Sequence, residues 1–277
     1  MNSSMINALM SMSAMQRKLD LIADNIANMN TVGFKRKTAS FEDLLTTIKQ
    51  QDGRFAQEGR KTPLGFTIGW GVRMTQAQLD LSQGSIQRTD NPYDLAIQGY
   101  ALFEVITDDQ GTRAYTRSGA FRAQLNEDGD VVVTTPEGHP VVVRDEGGAE
   151  EPLIVPAGYA LQVDAMGRVS ALSADGSDLQ ELGRLKLVEP VRPDALQAVS
   201  DNLFVVLAGV DVDAVIRDVQ PDMGNSVRII QGAHEQSNVK LETEMTELLM
   251  AQRAYQLSAR ALSSADTMMS LANQLRA

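Results

Sequence analysis

The sequence contains no cysteine, and only two of its 277 residues are histidine. The absence of cysteine excludes disulfides, cysteine–zinc sites and thiol catalysis. No run of eighteen apolar residues occurs, so we expect no membrane insertion. The first thirty residues also lack the pattern of a secretory signal, because Gln16, Arg17 and Lys18 interrupt the apolar positions before an unbroken apolar core can form.

Basic residues are outnumbered by acidic ones, and the net charge is −11. Residues 1–34 and residues 238–277 each carry equal numbers of acidic and basic side chains, so the whole acidic excess lies between them. The two ends can therefore pack together without like-charge repulsion, and the acidic middle is suited to solvent. The only basic cluster, residues 35–37, is interpreted as a solvated helix exit, so we expect no nucleic-acid partner.

Residues 238–277 contain neither proline nor glycine and are predicted to form one long helix. Apolar residues recur along it in steps of three and four, a period near that of a coiled coil. This seam consists of Leu241, Met245, Leu248, Ala251, Tyr255, Ala259, Leu262, Ala265, Met269 and Ala272. Ser237 and Asn238 are expected to cap the start of the helix.

The first thirty residues show a second seam of the same kind, which predicts a second helix. Its members are Met5, Leu9, Met12, Met15, Leu19, Ile22, Ile26 and Met29. Gly33 follows where a left-handed helix stop is expected. Because a single seamed helix exposes an apolar stripe, we predict that the two terminal helices pair and that their seams form an assembly interface.

Between the helices the period of the sequence changes from helical to strand-like. Residues 41–48 are predicted to add a turn or two of helix, and residues 49–71 to form a glycine-rich connector. Turn clusters containing glycine then separate predicted strands at 102–106, 114–116, 131–134, 139–143, 159–163, 169–172, 184–188 and 202–207. No helices alternate with these strands, so the sheet is expected to be antiparallel or mixed.

The predicted fold class is α+β, with long N- and C-terminal helices pairing as a coiled-coil-like core, and with an inserted, mostly antiparallel all-β domain and an extended connector. The expected segments are an N-terminal helix at 1–34, an extended or β connector at 35–94, a β domain at 95–209, a return connector at 210–236 and a C-terminal helix at 237–277.

No catalytic constellation stands out. His139 and His234 have no further histidine or cysteine at ligand spacing, and residues 126–130 fit a hairpin turn better than a calcium loop because their glycine is misplaced. No nucleophile elbow or phosphate-binding loop is present. We therefore expect no enzyme activity, metal or cofactor. A secreted β-domain hydrolase with helical dimerisation arms and a stand-alone coiled-coil adaptor are the alternatives from other classes.

Residues 19–36 closely resemble the amino-terminal signature of the bacterial flagellar rod and hook protein family. Residues 83–99, 115–121 and 235–255 agree with further blocks of that family in the same order. The residues matched to the terminal motifs are Asn25, Asn28, Asn30, Thr31, Gly33, Phe34, Ser237, Asn238, Gln252 and Arg253. Within the family, the chain looks closest to the distal-rod group or its paralogues in Gram-positive bacteria.

The resemblance implies that the terminal helices form an axial core, that the β domain faces outward and that the chain polymerises into a torque-transmitting rod. It also implies export through the flagellar type III apparatus and a location in the basal body, outside the cytoplasmic membrane. The expected partners are copies of the chain itself, other rod proteins, the hook protein, the export apparatus and, as a further candidate, a bushing ring. A hook or proximal-rod subunit is the alternative within the family.

Overall fold

The computed structural model describes residues 2–43, 47–49, 66–68, 72–74, 77–108, 111–126, 129–145, 147–173, 178–200, 202–207, 209–221 and 227–275. The α-helices are α1 (Asn2–Ala27), α2 (Val212–Val215) and α3 (Leu241–Gln274), and a short 3₁₀ turn lies at Pro193–Ala195. The chain divides into two compact units. The helical unit comprises Met1–Ile26, Lys37–Gln78 and Lys240–Ala277, and the β unit comprises Ala27–Arg36 and Leu79–Val239.

The strands are short, and most are three to five residues long. In chain order they are β1 (Lys37–Thr38), β2 (Phe41–Asp43), β3 (Thr47–Lys49), β4 (Phe66–Ile68), β5 (Val72–Met74), β6 (Gln78–Leu79), β7 (Ile86–Arg88), β8 (Leu95–Gln98), β9 (Leu102–Ile106), β10 (Arg113–Thr116), β11 (Arg122–Leu125), β12 (Val131–Thr134), β13 (Val142–Arg144), β14 (Glu150–Pro152), β15 (Ile154–Val155), β16 (Tyr159–Val163), β17 (Arg168–Ser173), β18 (Leu179–Leu185), β19 (Leu187–Pro190), β20 (Leu196–Ala198), β21 (Leu203–Val206), β22 (Ile216–Val219), β23 (Arg228–Gln231) and β24 (Ala233–Glu235).

Two predictions at the ends of the helices are wrong. The C-terminal helix begins at Leu241, not at 238, so Ser237 and Asn238 precede its first turn, and their side chains bond elsewhere. The N-terminal helix ends at Ala27, and Gly33 lies beyond it in the left-handed region, with φ 72°. Gly33 therefore serves a turn after the helix and does not stop it.

The helix predicted at 41–48 is also wrong. Its described residues form β2 and β3, which pair antiparallel with β5 and β4. Aromatic and β-branched residues such as Phe41, Thr47 and Ile48 suit strands once partner strands are available, and tertiary pairing overrides the weak helical period. The connector predicted at 49–71 lies largely outside the described residues, although Phe66–Ile68 within it is a strand.

The β unit contains a six-stranded sheet in the order β20-β21-β10-β9-β19-β22 and a five-stranded sheet in the order β14-β13-β18-β17-β16. The remaining strands form a three-stranded sheet, β11-β12-β15, and the pairs β23-β8 and β24-β7. Within the described parts of these sheets, every pairing is antiparallel. The sequence prediction of an antiparallel or mixed sheet is thus confirmed in its antiparallel form.

The main core lies on one face of the six-stranded sheet. Phe103 and Phe121 meet edge to face there, with ring centroids 5.2 Å apart. A smaller core on the other face includes Leu102, Tyr115 and Phe204. Because alternate residues of a strand point to opposite faces, β9 contributes Leu102 to one core and Phe103 to the other. The β unit therefore buries both faces of its central sheet.

Candidate assembly site

Glu235 is the centre of a buried ionic cluster in the β unit. Its Oε1 accepts hydrogen bonds from Lys35 Nζ at 2.7 Å and from the backbone N–H of Gly84 at 2.7 Å. Its Oε2 accepts from Arg117 Nε at 2.6 Å. All three charged side chains are at most 3% exposed. Buried charges are tolerated only when they are paired and fully hydrogen-bonded, and this cluster meets that condition.

Backbone carbonyls satisfy the donors that Glu235 does not reach. Lys35 Nζ donates to Ser82 O at 2.7 Å. The terminal nitrogens of Arg117 donate to Ala101 O, to Ile97 O at 2.8 Å and to Gly99 O at 2.8 Å. The cluster holds two cations and one anion, and these carbonyl dipoles partly offset the excess positive charge.

Burial is the main influence on the protonation of this cluster. Loss of hydration lowers the pKa of Lys35, and nearby Arg117 lowers it further, while Glu235 acts in the opposite direction. Burial likewise lowers the pKa of Arg117, again against the effect of Glu235. Glu235 therefore favours the charged form of both side chains in an environment that disfavours charge.

The backbone around Gly33 joins the same cluster. The N–H of Gly33 donates to the backbone oxygen of Glu235 at 2.8 Å, and Phe34 beside it is fully buried. A Cβ atom on Gly33 would overlap the backbone of Ser118, and the positive φ is itself unfavourable for other residues. Glycine is thus required at this position both by conformation and by space.

Asn238 connects the segment before α3 to two other segments of the β unit. Its Oδ1 accepts from the backbone N–H of Arg36 at 2.8 Å, and its Nδ2 donates to Asp80 O at 2.8 Å and to Ser82 O at 3.1 Å. Together with the Glu235 cluster, these bonds bring together segments from all four stretches that carry the family resemblance. Each of the four matched stretches therefore contributes residues to this one structural junction.

A second polar junction lies in the helical unit. Asn25 donates to Lys37 O at 2.9 Å, accepts from Lys37 N at 3.0 Å and donates to Glu244 Oε2 at 3.2 Å. Asn25 and Glu244 are both fully buried. Lys18, two turns nearer the N terminus of α1, pairs with Glu247 at 3.2 Å, farther along α3. Because the partners advance in opposite directions, the two helices run antiparallel.

A third polar cluster covers part of the six-stranded sheet. Glu104 is 2% exposed and pairs with Lys186 at 3.1 Å and with Arg113 at 3.1 Å. Burial nevertheless raises the pKa of Glu104. Burial, followed by the charge of Glu104, raises the pKa of neighbouring Tyr115 to about 12. This cluster stays within the β unit.

The predicted seam residues are buried to very different extents. Ile22 is buried, whereas Leu9, Leu241 and Met245 are exposed. The half-buried members are Met5, Met12, Met15, Leu19, Ile26, Met29, Leu248, Tyr255, Ala259, Leu262 and Met269. Ala251 and Ala265 are the buried members on α3, and the side chain of Ala272 lies outside the described part.

The motif residues divide in a similar way. Buried ones are Asn25, Gly33, Phe34 and Ser237, half-buried ones are Asn28, Thr31 and Asn238, and exposed ones are Asn30, Gln252 and Arg253. The Asn28 side chain accepts from the hydroxyl of Thr31 at 3.1 Å in the turn after α1. Ser237 Oγ accepts from the backbone N–H of Val239 at 3.3 Å.

Sequence reasoning missed the charged members of both junctions. The interpretation of residues 35–37 as a solvated helix exit is wrong, because Lys35 is 1% exposed and Arg36 and Lys37 are half-buried. Arg117 and Glu235 were not singled out, although each lies inside a stretch that matched the family. The sequence showed only a charged residue inside each stretch that resembles the family. The partner of each charge lies more than a hundred residues away and could not be identified from local patterns.

Comparison with known proteins identifies the family. Residues 6–35 match the family described as flagella basal body rod protein, and residues 230–275 match the flagellar basal body rod FlgEFG protein C-terminal family. Between them, residues 96–171 match the flagellar hook protein FlgE/F/G D1 domain. The order of these matches follows the order of the terminal helices and the β unit.

Full-length relatives agree with these matches. The chain is 32% identical over 268 residues to the flagellar basal-body rod protein FlgG of Borreliella burgdorferi, covering 96% of this chain and 95% of the relative. It is 33% identical to FlgG of Caulobacter vibrioides, with 96% of each chain covered. It is 31% identical to the flagellar hook-basal body complex protein FlhP of Bacillus subtilis, with 99% of each covered.

A structural protein with two terminal helices and a β unit between them in the sequence is the class that these features define. The chain belongs to the flagellar basal-body rod and hook protein family. It is accordingly a structural subunit of the flagellar basal body. Among the described helices, none is long and apolar enough to cross a membrane.

Proposed function

We propose that the chain polymerises through α1 and α3 into the torque-transmitting shaft of the rod, with the β unit on the outside. The observation that carries this proposal is the large apolar surface that α3 leaves uncovered. Its exposed members include Met250, Leu257, Met268 and Leu271, with Leu275 just beyond the helix. A single folded chain gains nothing from apolar side chains in water, so such a surface marks an interaction site.

The two units differ in the way a rod subunit requires. The β unit pairs its buried charges internally, so it can keep its shape while exposed to solvent. The helices lie antiparallel and share a polar contact, Asn25 with Glu244, within their buried face. A polar pair in an otherwise apolar interface favours one register over others. Coiled-coil-like pairing of α1 and α3 is thus the proposed axial core.

The proposed segments are those expected from the sequence: axial segments at 1–34 and 237–277, which contain α1 and α3, connectors at 35–94 and 210–236, and an outer β domain at 95–209, which lies within the β unit. The proposed partners are other copies of the chain, other rod proteins, the hook protein, the type III export apparatus and, as a further candidate, a bushing ring. The seam residues half-buried in one chain are proposed to complete their burial between chains.

A hook or proximal-rod subunit is the second candidate within the family. The similarity to the hook-basal body complex protein of Bacillus subtilis, which covers 99% of each chain, favours it. Imaging of basal bodies from a strain lacking this chain separates the two positions. A truncated rod supports the rod assignment, and an intact rod that lacks its hook junction supports the alternative.

The proposed assembly role is tested with a matched pair of substitutions. Leu257 on α3 is 64% exposed and Leu125 on β11 is 74% exposed, so neither is needed for the core of its unit. Leu257→Asp is expected to abolish motility, because an unpaired carboxylate in an apolar interface opens it in every copy. Leu125→Asp is expected to leave motility unchanged. Normal swimming of the Leu257→Asp strain would refute the role of α3.

A further inference from the structure

The exposed apolar side chains of α3 lie on a different face of the helix from its buried side chains. Leu257 and Leu271 each follow a buried alanine, Ala251 and Ala265, by six residues. At about 3.6 residues per turn, that spacing places them roughly 120° around the helix from the buried face. Their exposure therefore follows from helical geometry, since the contacts that bury Ala251 and Ala265 cannot also cover them.

α1 carries a smaller exposed patch in its first turns. Ile6, Leu9 and Met10 are each about two-fifths exposed, at 39%, 42% and 43%. Asp20, also exposed, lies eleven residues after Leu9, close to three full turns, and thus on the same face. The outer face of α1 therefore presents an apolar patch, followed by the exposed Arg17, eleven residues after Ile6, and by the carboxylate of Asp20.

On the outer face of α3 a charged residue precedes an apolar one, which is the reverse of the order on α1. The exposed Arg260 precedes Leu271 by eleven residues, which again places the two side chains on one face. Among the described residues, neither Asp20 nor Arg260 takes part in an ion pair. An antiparallel approach of the two outer faces brings Leu9 to Leu271 and Asp20 to Arg260 simultaneously.

These two faces cannot meet within one chain. The contact of Asn25 with Glu244 fixes the position of the two antiparallel helices along each other. Leu9, sixteen residues before Asn25, therefore lies level with Arg260, sixteen residues after Glu244. Leu271 is roughly 16 Å farther along α3. Leu9 also lies on the side of α1 opposite buried Ile22. A second copy of the chain is the partner that carries the complementary face and keeps the antiparallel direction.

We propose that the outer face of α1 in one copy docks antiparallel on the outer face of α3 in the next, with Leu9 against Leu271 and Asp20 against Arg260. This inference rests on the proposed self-assembly of the chain and adds its register. Because the two faces differ, the contact is heterologous, and each added copy leaves a free face at either end. Such a contact generates an open helical filament and not a closed dimer.

The absence of native cysteine allows a direct test by disulfide cross-linking. Leu9→Cys and Leu271→Cys are introduced together into the full chain, as the only copy in the cell, and isolated basal bodies are oxidised. We expect a ladder of covalent dimers and larger species on a denaturing gel. The matched control pairs Leu9→Cys with Leu257→Cys, which lies about 21 Å from Leu271 along the same face of α3 and is therefore beyond disulfide reach between docked copies. A ladder from the control and none from the test pair would overturn the register.

Charge reversal tests the same register without cysteine. It also tests the proposed contact if the cysteine variants do not assemble. Asp20→Arg and Arg260→Asp are each expected to reduce motility, and the double variant is expected to restore it. No restoration in the double variant would overturn the inference. Absence of the wild-type chain from isolated basal bodies would instead refute the proposed function. A chain that is present, with a negative cross-link and no restoration, refutes the docking alone.

Discussion

The β unit of this chain contains a buried ionic cluster, whereas the helical unit contains a helix with a row of exposed apolar side chains on one face. In the β unit, Lys35, Arg117 and Glu235 are almost fully buried and satisfy one another. In the helical unit, Leu257 and Leu271 on α3 stay more than half exposed. Under the proposed function, the first unit is complete as a single copy, and the second is completed by neighbouring copies. The proposal thus assigns folding and assembly to separate parts of one sequence.

The largest effect is expected from removing the carboxylate at the centre of the buried ionic cluster in the β unit. Glu235→Leu leaves two buried cations without their anion, so we expect a loss of about 3–5 kcal/mol in the free energy of unfolding. Urea unfolding followed by near-ultraviolet circular dichroism measures it, since four of the five tyrosines lie in the β unit. Asp164→Asn, which removes a half-exposed pair with Arg168, is the control and should cost less than about 1 kcal/mol.

A smaller loss is expected from Gly33→Ala. Both the positive φ and the overlap with Ser118 oppose a side chain there, so the loss should exceed about 2 kcal/mol. Gly138→Ala separates the two causes, because Gly138 also has a positive φ, 96°, but has open space around its Cβ position. We expect about 1–2 kcal/mol for that control, from conformation alone. Equal losses at the two positions would show that the Ser118 contact contributes nothing.

Tyr115 provides a pH-dependent test of the burial of its hydroxyl group in the β unit. Its pKa is raised from 10.0 to about 12, so above pH 10 the unfolded chain releases this proton while the folded chain retains it. The contribution to stability is therefore complete below pH 10 and is lost as the pH rises toward 12. At pH 11 the loss is about 1.4 kcal/mol. Tyr115→Phe should lack it, and identical pH profiles of the two proteins would contradict burial of the hydroxyl.

The smallest effect on stability is expected from a substitution on the exposed face of α3, where stability and assembly should respond differently. Leu257→Gln should change the free energy of unfolding of the monomer by less than about 0.5 kcal/mol, because the side chain is already in water. The same substitution should strongly reduce the number of complete basal bodies counted by electron microscopy. A destabilised monomer would show instead that Leu257 packs within its own chain.

Local sequence patterns predicted the regular elements well. Strands at 102–106, 131–134 and 159–163 occur with the predicted bounds, because alternation and flanking turn residues are local properties. The predicted strand at 184–188 is divided between β18 and β19, which belong to two different sheets. A division of this kind depends on the partner strands and leaves no local signal.

The polar junctions were beyond local reasoning for a related reason. Lys35 follows α1 in a basic triplet that is typical of a solvated exit, yet its partner Glu235 is two hundred residues away. The seams on α1 and α3 were visible in the sequence, but their period does not say which face is covered within one chain. Burial of Glu244 and exposure of Met245 beside it could be known only once the helices were placed together.

Hydrogen–deuterium exchange of the full chain, as a monomer and in assembled rods, tests most directly whether folding and assembly are separated. We predict that β9, β10 and β19 of the β unit exchange slowly in both states. Amides of α1 and α3 should exchange quickly in the monomer and become protected by at least about tenfold in the rod. If α1 and α3 are equally protected in both states, while protection in the β unit rises on assembly, the β unit is the assembly surface and the division proposed here is contradicted.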